Sequence, residues 1–152
     1  MLAATVTWEN LKINFTAEQV LLTEVQNNLV ELEGLIAHQI EDDWSEPNLV
    51  TAELEDILNG IWLGMTTVEQ LGALSESDKV TLSQLHSNLR QYPYDEIYSF
   101  ANVTDEDIKN FEELRGILRD VGLGLNISIN ANKDSFMAQA NALNKKIKTP
   151  LN

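Results

Sequence analysis

Leu22, Val25, Leu29, Leu32 and Ile36 recur at alternating spacings of three and four. That period lays them on one stripe of an α-helix and cannot serve a strand. Val30 and Leu35 widen the stripe. Thr16 fits the N-cap, Gln19 three residues later completes a capping box, and Glu18 suits the positive end of the helix dipole. The pattern predicts one helix from Ala17 to Trp44, about 40 Å long at ~1.5 Å per residue. Its other face carries Glu24, Gln26, Asn27, Glu31, Glu33 and Asp42. A stripe this long must be covered by other elements. The next stripe position is the polar Gln39, and the run lasts only about two heptads. An intramolecular bundle therefore fits better than an intermolecular coiled coil.

Four more helices are predicted downstream. The second starts at Leu49 or Ala52 and reaches Leu74, with Leu54, Leu58, Ile61, Met65 and Val68 as its stripe. Gly60 and Gly64 share a face there, where a neighbouring backbone can come close. Pro47 separates the two helices by a loop over residues 45–48. Ser75 and Ser77 offer N-caps to a third helix, Asp78 to Gln91, with Leu82, Leu85 and Leu89 inward. Thr104 caps a fourth that runs to Val121 through Ile108, Phe111, Leu114 and Leu118. The last, Lys133 to Lys148, aligns Phe136, Ala140, Leu143 and Ile147, and Pro150 stops it. Residues 126–132 read as non-helical.

Ahead of these helices, Val6 and Trp8, then Leu11, Ile13 and Phe15, alternate with polar residues, as in an extended arm or small hairpin. A lone hairpin is marginal in water, so such an arm lies on the bundle or pairs with another chain. The fold class read from the sequence is all-α. It is an antiparallel bundle of about five helices over residues 16–148, with an arm over 1–15, in one domain spanning 1–152.

Charge divides the chain. Residues 1–76 hold 14 acidic residues and one basic, Lys12, whereas residues 77–152 hold 10 acidic and 9 basic. The first half therefore lacks the cations that phosphate contacts or an anionic membrane surface require. No nucleic-acid or membrane partner is expected, and a basic protein partner is compatible. The absence of cysteine excludes disulfides and thiolate metal sites. The N-terminus has no basic region before its few apolar residues and does not read as a signal peptide. A cytoplasmic or assembly-associated protein is the favoured location.

Catalytic patterns are weak. His38 and Glu41 share a helical face, but di-iron bundles use Glu-x-x-His, and His86 has Ser83, not Glu, three residues before it. Gly122-Leu-Gly124 follows a helix instead of a strand, unlike a dinucleotide loop. The chain carries no Gly-x-Ser-x-Gly elbow and no P-loop. No enzyme activity, metal or cofactor is expected.

Two groups of residues stand out as partner-binding candidates. The acidic group is Glu31, Glu41, Asp42, Asp43, Trp44, Glu46, Glu53 and Asp56. The second combines the arm (Val6, Trp8, Leu11, Ile13, Phe15) with Tyr92, Tyr94 and Tyr98 of an aromatic segment that also holds Phe100. Tyrosine, apolar with a polar tip, suits an interface or the lid of a core. The leading expectation is a non-enzymatic helical interaction or structural assembly module, an adaptor or a virion or cell-assembly component. Its partner would be a protein, possible identities being a basic protein or a second copy. The alternative is an acidic inhibitor or regulator that occupies a basic, nucleic-acid-binding surface by phosphate mimicry.

Overall fold

A computed structural model describes residues 18–70, 72 and 74–151. The described chain is mostly helical, with five α-helices and no strands, so the fold is all-α. Residues 1–15, the expected arm, lie outside the described residues. The helices are α1 (Asn27–Glu41), α2 (Asn48–Gln70), α3 (Glu76–Leu89), α4 (Asp105–Asp120) and α5 (Lys133–Lys146). α1 lies between α2 and α4, and α3 packs on α2 and α5. Each helix contributes residues of its predicted stripe to one apolar core, from Leu29, Leu32 and Ile36 of α1 to Phe136, Ala140 and Leu143 of α5, while Ile108 of α4 stays outside it.

The helix that opens the chain is not a uniform α-helix. Residues 18–21 lead into a π turn, Leu22–Gln26, before α1 proper. The Asn27 N–H donates to the Leu22 carbonyl, one residue further than an α-helix spans. The Asn28 side chain takes up the Glu24 carbonyl at 3.0 Å. That carbonyl faces α2 where Gly60 stands, and a Cβ on Gly60 would run into it. Leu21 fills the space beside Gly64. The close backbone approach expected of the two glycines is therefore made at Gly60, by the π turn, whereas Gly64 accommodates a side chain.

Gln26 and Glu33, expected on the polar face of the first helix, are buried instead. The reason is that the helix is covered on more than one side, by α2, α4 and α5. The helix also ends at Glu41, before the predicted Trp44. Asp43 and Trp44 take left-handed φ values of 53° and 55°, which reverses the chain. Gln39, the polar break in the stripe, holds this reversal by accepting the Glu46 N–H at 2.9 Å.

The remaining ends follow their capping chemistry. Ser75, not Ser77, caps α3 by accepting the Asp78 N–H at 3.1 Å. Thr104 and Asp107 form a reciprocal capping box on α4. At the other end of α4, Gly122 adopts φ 89° and Leu123 N–H donates to the Leu118 carbonyl at 2.8 Å. This is a Schellman stop, with Leu118 and Leu123 both in the core, so the Gly-x-Gly element terminates a helix. α5 ends two residues before the predicted Lys148 because Ile147 turns into an extended conformation and is buried.

Candidate interaction surface

Between α3 and α4 the chain makes a tight turn through the aromatic segment. Glu96 and Ser99 exchange two backbone hydrogen bonds, at 2.9 and 3.0 Å, leaving Ile97 and Tyr98 at the tip. Tyr98 has φ 70°, the left-handed conformation such a turn demands. Asp95 anchors the base. Its Oδ1 accepts from Thr51 Oγ1 at 2.7 Å and from the Ala101 N–H at 2.9 Å. Its own N–H donates to the Thr51 carbonyl at 3.2 Å. The turn is thus fastened to the first turn of α2 and closed on itself.

This fastened turn presents apolar groups outward. Ile97 is 77% exposed, Tyr98 103% and Phe100 79%. Such groups would ordinarily be withdrawn from water, at roughly 1.5–3 kcal/mol for each fully buried side chain. Tyr94 is half-buried against the core. Tyr92 does not reach the surface: it stacks on Phe111 with ring centroids 5.5 Å apart. Burial, aided by Glu113, keeps its hydroxyl protonated well above the ordinary phenol range. Beside the turn lies a surface cleft of about 460 Å³. Glu55, Leu58 and Asn59 of α2 line one side, and Tyr94, Asp95, Glu96 and Ile97 the other.

The acidic residues separate into two places. Glu53 of α2 meets Glu31 of α1 across the helix pair and Asp56 on its own helix. Burial, then the charges of Glu31 and Asp56, pushes the Glu53 carboxyl up to about 7, and Glu53 and Glu31 are close enough to share a proton. Glu41, Asp42, Asp43 and Glu46 are exposed on the turn between α1 and α2. Asp42 pairs with His38 Nε2 at 3.1 Å. Trp44 is drawn away from this group: it stacks on Phe111 at 5.9 Å and its Nε1 donates to Glu112 at 3.3 Å. Among the described residues, lysine and arginine pair instead with Glu33, Glu69, Glu76, Asp78 and Glu113. Among the described residues no group of three or more His, Asp or Glu side chains is arranged to hold a metal ion.

Ile97 and Phe100 escaped the residue-type reading. Phe100 was legible as part of an aromatic window, but nothing in its spacing distinguishes a projecting side chain from a core lid. Glu33 was missed too. It is 1% exposed, and one oxygen lies 3.1 Å from Arg119 Nη1 and 3.2 Å from Arg115 Nε. The other accepts the Leu125 N–H at 2.8 Å. No protein family, no curated protein and no solved structure matches the chain.

Proposed function

We propose that the chain is a non-enzymatic helical interaction or assembly module whose contact surface is the turn bearing Ile97, Tyr98 and Phe100. One observation carries this reading: three large apolar side chains are exposed on a backbone that hydrogen bonds hold in one conformation. An ordered apolar anchor loses little conformational freedom on binding, which favours affinity. Aromatic anchors of this kind dominate the energetics of many protein interfaces. The acidic face of α1 and α2 adjoins the turn through Glu55 and Asn59 and favours a basic partner over a second acidic copy. The same face keeps the phosphate-mimicry reading as the second one, because Glu31, Glu53, Glu55 and Asp56 take part in none of the ion pairs of the described residues.

The proposed framework is an up-and-down bundle. Contacts of Leu21 with Gly64, Glu24 with Gly60 and Glu31 with Glu53 support antiparallel α1 and α2. Asp78 with Lys133, Thr81 with Asn141 and Asn88 with Asn144 support a parallel α3 and α5. Helices that alternate in direction and close into a ring of five need one parallel pair. An arm over residues 1–15 that pairs with a neighbour belongs to the same proposal.

The test is affinity capture of partners by the full chain and by a Tyr98→Ser, Phe100→Ser double variant, each checked for folding by circular dichroism. Light scattering on both reports self-association. Loss of the captured partner or of the oligomer, with thermal stability retained, supports the reading. Capture at equal yield by both chains rejects the turn as the contact.

A further inference from the structure

We infer that the cleft beside the turn receives an arginine side chain of the partner protein. This deepens the interaction reading above and rests on it. The cleft lining combines two chemistries that match one type of side chain. Leu58, Tyr94 and Ile97 contribute apolar groups to its two sides, while Glu55, Asn59 and Glu96 contribute acceptors. A long aliphatic stem ending in a cation satisfies both. The planar guanidinium adds stacking on an aromatic ring and forked donation to carboxylates, which an ammonium cannot reproduce.

The charge complementarity is specific to this place. Neither Glu55 nor Glu96 has a cationic partner among the ion pairs of the described residues. Asp95, buried and also lining the cleft, accepts from Thr51 and Ala101 with one oxygen. Nothing cationic in α1 or α2 opposes these carboxylates, since neither helix contains lysine or arginine. At about 460 Å³ the cleft has room for the side chain and some flanking backbone. Ile97 both lines the cleft and projects from the turn, so one partner engages both. A second copy is the poorer occupant. Arg115 and Arg119 are engaged by Glu33, which leaves Arg90 as the exposed arginine outside the ion pairs of the described residues, and two acidic faces would repel.

The experiment is amide NMR of the full chain titrated with acetyl-Gly-Leu-Arg-Leu-Gly-amide, with its citrulline and lysine analogues, and light scattering at the same concentrations. The arginine peptide is expected to shift Glu55, Asn59 and residues 94–97 saturably. The citrulline peptide should bind at least about tenfold more weakly, since a charge-assisted hydrogen bond is worth about 1.5–3 kcal/mol. A Glu55→Gln, Glu96→Gln variant should lose a similar factor while keeping its amide spectrum. Equal binding of citrulline, equal binding of lysine, or unsaturable shifts spread over residues 31–46 would overturn the assignment. So would self-association abolished by Arg90→Gln. If the glutamine variant still captures the partner that Tyr98→Ser, Phe100→Ser loses, the arginine site fails while the interaction reading stands.

Discussion

Glu33 and Glu53 are both drawn out of water, yet their surroundings are opposite. Glu33 meets two arginines and a backbone N–H contributed by α4 and the segment after it. Glu53 meets two further carboxylates, Glu31 and Asp56. The border between these environments runs along α1. Glu31 and Glu33 are two residues apart, which turns them about 200° from each other around the helix. Glu31 faces acidic α2, and Glu33 faces α4, where the arginines are. A carboxylate's worth is therefore set by the neighbouring helix, not by its own.

Removing the matched carboxylate tests this contrast most severely. Glu33→Ala strands the Leu125 N–H and takes the counter-charge from Arg115 and Arg119. Both arginines are partly exposed and can recover some hydration, so the expected loss is about 2–4 kcal/mol. Urea denaturation measures it, and a loss below about 1 kcal/mol would mean the network is ornamental.

Gly60→Ala attacks the unmatched side through its packing. The new methyl meets the Glu24 carbonyl and forces the helix pair apart, at an expected cost of about 1–3 kcal/mol. Water admitted between α1 and α2 should bring the Glu53 titration down from about 7, which carbon-detected NMR of its carboxyl follows. Loss of stability with the titration unmoved would separate the glycine contact from the carboxylate cluster.

Glu53→Gln has the smallest effect and the most diagnostic sign. Folding raises the Glu53 pKa from 4.5 to about 7, so the folded state binds more protons than the unfolded one between those values. Stability is full below 4.5 and falls as pH rises through about 7. The whole shift corresponds to about 3 kcal/mol, and solvent on the exposed part of the cluster reduces this to roughly 1 kcal/mol. The glutamine variant should match the parent near pH 4 and exceed it by that amount at pH 8. A stability profile unchanged by the substitution would show that solvent already screens the cluster.

Much of the framework was legible because it depends on local chemistry. The stripes of Leu54, Leu58 and Ile61 or of Phe111, Leu114 and Leu118 need only helical periodicity. Ser75 and Thr104 act through hydrogen bonds three residues long. The Gly60 and Gly64 pair announced a close approach, although not that a π turn would make it. Illegible features depend on tertiary context. Gln26 and Glu33 look like solvent-facing residues until α4 and α5 cover them. Tyr92 and Tyr98 belong to one aromatic run, but stacking on Phe111 holds the first inward and the Glu96–Ser99 closure sends the second outward. The candidate site was therefore visible as a composition and not as a shape.

The π turn at Leu22–Gln26 has one more consequence. In crystallographic language it is a dislocation: one extra residue inserted into an otherwise periodic lattice of hydrogen bonds. Residues 18–21, on its N-terminal side, are rotated by about 100° relative to an uninterrupted helix. That offset is what lets Leu21 and Leu22 be buried side by side and aims Glu18 at the Lys133 N–H, 2.9 Å away. Deleting one residue within the turn would heal the lattice and, in doing so, turn Leu21 away from Gly64 and Glu18 away from Lys133.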